Sequence, residues 1–116
     1  MDNLQTLGAV LPLAHGTTIG GEPAFVFPEI LDALALCTKH RIAVLGVELF
    51  KATANGYLTE GISVYDIPLK DQSWPEFVAR NNNLATDFVR NNQGGDDHFY
   101  LLTASLQAEY PSLQSP

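Results

Sequence analysis

The most constraining feature of this sequence is a nearly uninterrupted apolar run at residues 42–50, IAVLGVELF. A strong turn dipeptide, Asn55-Gly56, follows it, and residues 57–66 (YLTEGISVYD) are rich in β-branched and aromatic side chains. This composition favours strands, and neighbouring strands joined by a short loop form a hairpin. We therefore predict strands at 42–50 and 57–66, joined by a loop at 51–56.

Helical patterns lie on both sides of this hairpin. Pro28 stands at the tolerated first-turn position of a helix whose apolar residues follow helical spacing as far as Cys37. Residues 73–76 (SWPE) have the sequence of a capping box, and the apolar stripe of this second helix runs to Val89. The glycines and asparagines of residues 91–95 (NNQGG) predict its end.

A third strand is predicted at residues 97–104 (DHFYLLTA), which are apolar on both faces and therefore suit a position inside the sheet. Residues 1–23 predict an irregular segment, and the polar residues 107–116 predict a frayed tail. We expect one α+β domain over residues 1–116, a mainly antiparallel sheet of three to five strands with two main helices packed on one face.

Alternation along the strands assigns each hairpin side chain to a face. The face of the first strand that we expect to cover the helices is Ala43, Leu45, Val47 and Leu49. Its outer face is Ile42, Val44, Gly46, Glu48 and Phe50. The predicted register places Phe50 opposite Tyr57, and the outer face of the second strand is then Tyr57, Thr59, Gly61, Ser63 and Tyr65. Ile62 and Val64 then point to the helices.

Glu60 does not fit this alternation, because it shares the face that covers the helices. It must lie at the hairpin tip beyond the helices, or a bulge at Gly61 resets the alternation. The outer face combines aromatic, hydroxyl and glycine residues with Glu48, which is typical of a protein-binding surface. The alternative is that the N-terminal segment covers this face, and the tyrosines are then ordinary sheet packing.

The charge balance excludes some classes of partner. The chain has 13 acidic and 6 basic residues, a formal net charge of −7. Nucleic acids and anionic membranes need a basic patch, so neither is expected as a partner. The acidity suits a basic protein, or serves solubility alone. No apolar stretch has the length of a membrane span and no signal peptide is recognisable, so we expect a cytoplasmic location.

Patterns for catalysis, metals and cofactors are missing from the sequence, which has no glycine-rich phosphate loop and no nucleophile elbow. His15, His40 and His98 are far apart and lack metal-ligand spacing. Residues 96–98 (DDH) are the most suggestive cluster, and we expect a solvated loop there. The single cysteine, Cys37, is expected to be a buried structural thiol. We expect no catalytic, metal or cofactor site and no enzyme.

An ordered series of motifs points to one class of protein. A proline-led helix, PEILDALALCTKH, runs directly into RIAVLGVELF, and an acidic helix start, PEFVAR, and an acid-led strand at residues 96–102 follow. The strand matches the form I-x-[VI]-L-G-G-[DE]-[VL]-[YF] at Ile42, Val44, Leu45, Gly46, Glu48, Leu49 and Phe50. This series resembles the family numbered forty among the immunity proteins of bacterial polymorphic-toxin systems. Val47 stands where that family has its second glycine.

The resemblance implies a protein that performs no chemistry and neutralises a bacterial toxin by forming an inhibitory complex. Many such toxins are basic and attack nucleic acid as nucleases, and an acidic inhibitor suits them. For such a complex we expect the partner to contact aromatic and acidic residues on the outer hairpin face and near its ends, namely Glu48, Phe50, Tyr57, Glu60, Tyr65, Asp66 and Asp71.

Two other interpretations stay open. A small ligand-binding domain or enzyme would use a pocket between the sheet and the N-terminal segment, and converging acids and histidines would favour it. A paired-carboxylate site belongs to this class, since the sequence alone does not say whether Glu48 lies beside Glu60 or Asp66. A homodimer joined edge to edge through an uncovered strand is the other interpretation.

Overall fold

The computed structural model describes residues 3–18, 20–65 and 72–106, which form an α+β fold. In chain order the elements are α1 (Asn3–Thr6), a 3-10 helix (Gly8–Leu13), α2 (Glu29–Lys39), β1 (Ala43–Thr53), β2 (Gly56–Val64), α3 (Trp74–Asn91) and β3 (His98–Ser105). The sheet is antiparallel, with the order β2-β1-β3. The predicted class and the two main helices are confirmed. The predicted inner position of the last strand is wrong, because β1 is central.

The two main helices form where their sequences predict, although α2 begins at Glu29 and Pro28 is its N-cap rather than part of its first turn. Ser73 caps α3: its Oγ accepts a hydrogen bond from the Glu76 N–H, while the Ser73 N–H donates to Glu76 Oε1, each at 3.3 Å. Trp74 is fully buried, and its Nε1–H donates to the Arg41 carbonyl at 2.8 Å. In the described part of the chain, no helix has the length and apolar character that crossing a membrane requires.

The β1–β2 hairpin is longer than predicted. Thr53 pairs with Gly56, so the turn holds two residues and most of the predicted loop at 51–56 belongs to the strands. Gly56 has a φ of 138°, a backbone conformation that only glycine adopts readily. Tyr57 therefore pairs with Ala52, two residues further along β1 than predicted. The tight turn sets this register.

A bulge in β2 shifts the register after Leu49 and leaves Glu60 as the extra residue. Gly61 then faces α3, because a Cβ at this position would lie 3.4 Å from the Phe88 ring. Of the two explanations considered for Glu60 from the sequence, the bulge next to Gly61 is observed. Glu60 itself stays on the helix-facing side of the sheet, as the alternation predicts.

The same bulge overturns the predicted faces in the second half of β2. Ile62 and Val64, predicted to point to the helices, lie on the outer side and are 58% and 74% exposed. Ser63 pairs with the buried Val47 and lies on the helix-facing side. Tyr65, predicted to be on the outer face, is half-buried against the core. These predictions are wrong because they assume that side chains alternate regularly along β2, whereas the extra residue Glu60 reverses the faces of all residues after it.

A second bulge lies at the start of β1, where the register with β3 shifts between Val44 and Gly46. Leu45 is the extra residue and is half-buried. Val44 and Ile42 are buried in the core with 0% and 2% exposure, so their predicted position on the outer face is wrong. The bulge turns successive residues of β1 toward the helices.

Two buried asparagines of α3 complete the edge of β1. The β1–β2 ladder ends at Gly46. Beyond that point, the Val44 N–H donates to Asn82 Oδ1 at 2.9 Å, and Asn81 Nδ2 donates to the Val44 carbonyl at 3.0 Å. Asn82 Nδ2 also donates to the Ile42 carbonyl at 3.0 Å. Amide side chains thus satisfy backbone groups that would otherwise be buried without partners.

The N-terminal segment, predicted to be irregular, contains α1 and the 3-10 helix and covers the open edge of β3. Phe25 and Tyr100 exchange backbone hydrogen bonds of 2.9 and 2.7 Å. The Asn3 side chain donates to the Leu102 carbonyl and accepts from the Ala104 N–H, both at 2.8 Å. This edge is therefore protected from pairing with another strand. The tail predicted at residues 107–116 lies outside the described residues.

Candidate functional site

The outer face of the sheet, opposite the helices, is the first candidate surface. We define it as Glu48, Phe50, Tyr57, Thr59, Ile62, Val64 and Leu101. Glu48 lies between its register partners Ile62 on β2 and Leu101 on β3. Its half-buried carboxylate has no ion-pair or hydrogen-bond partner among the described residues. A carboxylate flanked by apolar side chains in this way is available to a cation brought by a partner.

The β2 strand forms the exposed margin of this face. Ile62 and Val64 are exposed side by side along the strand, and Tyr57 is 45% exposed near its start. Within residues 3–18, 20–65 and 72–106, no strand pairs with the far edge of β2. An exposed apolar row on a strand with one free edge is characteristic of an interaction surface.

An aromatic cluster occupies the end of the outer face near the hairpin turn. The Phe50 and Phe99 rings stack with centroids 5.3 Å apart, and Tyr57 meets Phe99 edge-on at 5.0 Å. Such pairs hold aromatic rings in fixed relative positions. Phe50 and Tyr57, both predicted to be partner-binding residues, are therefore brought together by Phe99.

A groove separates the aromatic cluster from the N-terminal loop, which we define as residues 15–18 and 20–24. It consists of three neighbouring cavities of about 210, 260 and 320 Å³. The first cavity shares His15 and Asp96 with the third, and Tyr57 and Phe99 with the second. The N-terminal loop therefore covers the aromatic end of the outer face, while Ile62 and Val64 stay exposed.

The Asp-Asp-His sequence at residues 96–98 lies beside this groove and is more than the solvated loop predicted. His98 Nε2 is 2.7 Å from Glu60 Oε1, and His98 Nδ1 is 2.8 Å from Asp97 Oδ1. The Gly95 N–H also points at His98 Nδ1, at 3.1 Å. Lys51 Nζ lies 3.9 Å from Asp97 Oδ2. The neutral ring donates from Nε2 to Glu60, and the protonated ring donates to both carboxylates.

Glu48 and Glu60 do not form the paired site considered from the sequence. Glu60 lies on the helix-facing side with His98, whereas Glu48 lies on the outer face. Asp66 lies outside the described residues, as does Asp71. Among the residues that the structure describes, no group of three or more histidine, cysteine, aspartate or glutamate side chains is arranged to hold a metal ion.

Burial explains the behaviour of the single thiol. Cys37 is fully buried between α2 and the sheet, and desolvation raises its pKa to about 12. The thiolate is the nucleophilic form, so this side chain is unreactive at neutral pH. The prediction of a buried structural cysteine is confirmed.

Buried Tyr100 and half-buried Tyr65 also have structural roles. Burial raises the pKa of Tyr100, whose hydroxyl donates to the Asn92 carbonyl at 2.7 Å and accepts from the Gly94 N–H at 3.1 Å. Burial also raises the pKa of Tyr65, and the nearby Asp87 carboxylate adds to this effect. Tyr65 is therefore a poor candidate for direct contact with a partner.

The structure thus separates the predicted contact residues into groups. Glu48, Phe50 and Tyr57 come together on the outer face, while Glu60 turns to His98 and Tyr65 turns to the core. The sequence analysis missed four residues of the surface and groove, Ile62, Val64, Phe99 and Leu101. The outward direction of Ile62 and Val64 can be deduced only if the bulge in β2 is known. The position of Phe99 and Leu101 beside the outer face of β1 can be deduced only if the strand order is known.

Two comparisons with known proteins find no relatives of this chain. A search of protein-family models finds no match to this chain, and a search of curated proteins finds none. The resemblance to immunity proteins therefore rests on the motifs in the sequence, and the surface described above is argued from its own geometry and charge.

Proposed function

We propose that this protein is an immunity protein that neutralises a bacterial toxin in the cytoplasm by forming an inhibitory complex, with no chemistry of its own. The toxin binds the outer face of the sheet. The observation that carries this proposal is the exposed pair Ile62 and Val64 beside the unpaired carboxylate of Glu48. The exposed apolar pair offers a partner contact area, and the unpaired carboxylate offers a charge that a cation of the partner can meet.

The charge of the chain supports a basic toxin domain as the partner. The formal net charge is −7, which favours rapid association with a cationic protein and disfavours contact with nucleic acid. A basic nuclease domain fits this description. The ordered motifs from residue 28 to residue 102 support the same class of protein.

Co-expression tests this proposal. The candidate partner is a toxic C-terminal domain of a secreted protein encoded beside this gene. We expect the present chain to restore growth of cells that express that domain, and the two purified proteins to form a complex at micromolar concentration. Absence of both rescue and complex would refute the proposal.

Matched variants locate the surface in the same assay. Val64→Glu puts a charge into the exposed apolar row and should abolish rescue. Leu84→Glu is the control, because Leu84 on α3 is 46% exposed on the opposite side of the sheet. Equal rescue by both variants would exclude Val64 and its neighbours on β2 from the interface.

A small ligand-binding domain or enzyme is the second candidate. The observation in its favour is the groove, whose first cavity brings His15 next to residues 96–98. This candidate predicts that a substitution at His15 abolishes function while Val64→Glu has no effect. Because it involves no toxin, this candidate also predicts no rescue in the co-expression assay, which distinguishes the two candidates.

A further inference from the structure

We propose that the groove between the N-terminal loop and the aromatic cluster accepts a basic side chain of the partner protein, an arginine in preference to a lysine. This inference rests on the proposed function, since it names a contact that the toxin makes next to the outer face. It adds a defined recognition site to a surface otherwise described only by exposure and charge.

The aromatic wall of the groove is the first ground. Phe99 is almost completely buried, because Phe50 stacks on it and Tyr57 meets it edge-on. Tyr57 is 45% exposed and lines both the first and the second cavity, so it presents the accessible ring. A guanidinium group packs favourably on such a ring, and its planar shape suits this contact better than an ammonium group does.

The charge of the groove is the second ground. Asp96 lines its first and third cavities and Glu22 lines its second, and neither carboxylate has an ion partner in the part of the chain that the structure describes. Asp97 also lines the groove, but it is shared between His98 and Lys51. Two unneutralised carboxylates attract a cation and repel an anion.

Continuity with the outer face is the third ground, and it favours a protein side chain over a free small molecule. Phe50 and Leu101 line the second cavity. Leu101 is also the register partner of Glu48, and Phe50 follows two residues after Glu48 on the same face of β1. A partner that covers Ile62 and Glu48 therefore reaches the groove without leaving the sheet surface.

Titration with single amino-acid amides tests the site directly. The probe is Nα-acetyl-arginine amide, added to the ¹⁵N-labelled full chain and followed by amide chemical shifts. We expect saturable shifts at groove residues with a dissociation constant on the order of millimolar. The lysine analogue should bind more weakly. Nα-acetyl-citrulline amide, which has the same shape without the charge, should produce no saturable shifts.

Variants separate the groove from general electrostatic attraction. Tyr57→Leu removes the exposed ring and Asp96→Asn removes an unneutralised charge, and each should raise the dissociation constant about two- to fivefold. Asp32→Asn on α2 makes the same change in net charge away from the groove and should leave the constant unchanged. Circular dichroism and thermal unfolding establish that each variant is folded.

The outcomes that overturn the inference are specific. Equal binding of the citrulline analogue, tighter binding of the lysine analogue, or equal effects of Asp96→Asn and Asp32→Asn would each refute it. Arginine binding with neither rescue nor a complex would leave the arginine site standing and refute the proposed function. Rescue without arginine binding would refute the groove alone.

Discussion

The Glu60 carboxylate lies 2.7 Å from His98 Nε2, which joins β2 to β3 across the central strand β1. The register explains the contact, because Lys51 on β1 pairs with both Leu58 and His98. The bulge leaves Glu60 unpaired on the same side of the sheet as the imidazole. A side-chain contact thus connects two strands that share no backbone hydrogen bonds.

This contact should be measurable as a coupling free energy. Replacement of Glu60 by alanine should lower the free energy of unfolding by about 0.5–1.5 kcal/mol, a modest effect because the carboxylate is partly exposed. A double-mutant cycle with His98→Ala, measured by urea denaturation, should show that the two effects are not additive. Additive effects within experimental error would show that the pair contributes no interaction.

Asn82 should be much more important for stability than its neighbour Asn83. Asn82→Leu leaves the Val44 N–H and the Ile42 carbonyl without their buried partners, so we expect a loss of about 2–4 kcal/mol in the free energy of unfolding. Asn83→Leu is the control on the exposed side of α3 and should change stability by less than about 0.5 kcal/mol. Similar losses in both variants would contradict the role assigned to Asn82.

Cys37 should make the protein less stable at alkaline pH. Burial raises the pKa of its thiol from 9.0 to about 12, so the folded state favours the neutral form. This contribution to stability is fully present below the unfolded pKa of 9.0 and is lost as the pH rises toward 12. The free energy of unfolding should therefore fall above pH 9, and less steeply in Cys37→Ala.

Denaturation of both proteins at about pH 7 and about pH 10.5 measures that difference. Tyr65 and Tyr100, whose pKa values are also raised by burial, should leave the variant with some residual decline. Parallel declines in the two proteins would mean that the thiol does not contribute.

Under the proposed function, Glu48→Lys should weaken binding of the toxin without unfolding the protein. The substitution reverses an unpaired charge at the centre of the outer face, so we expect at least about a tenfold rise in the dissociation constant. Asp32→Lys, an exposed position on α2, makes the same charge change outside the surface and is the control. Calorimetry with the purified toxin domain gives both constants, and equal values would place the interface elsewhere.

Features that depend on residues close together in the sequence were predicted correctly, whereas features that depend on pairing between strands were not. The helices and the Ser73 cap depend on residues within one or two turns, and they were predicted correctly. The hairpin register depends on the two-residue turn before Gly56, and the faces of β2 depend on the bulge at Glu60. Neither is determined by alternation alone.

The residues of the candidate surface were likewise predicted correctly before the β2 bulge and wrongly after it. Glu48, Phe50 and Tyr57 precede the β2 bulge, and their outward direction was predicted correctly, whereas Ile62 and Tyr65 follow it and were assigned to the wrong faces. The apolar residues on both sides of β3 suggested an inner strand. They occur at an edge instead because the helices cover one side and the N-terminal loop covers part of the other.

The contact of Asn3 with Leu102 and Ala104 has a consequence for synthesis of the chain. The amide of Asn3 leaves the ribosome about a hundred residues before the backbone groups that it bonds. Until β3 emerges, α1 has no strand to dock on. Once β3 has emerged, its edge stays open until α1 binds there. This contact therefore joins residues made about a hundred positions apart, and slow docking of α1 would prolong exposure of a strand edge able to pair with other nascent chains.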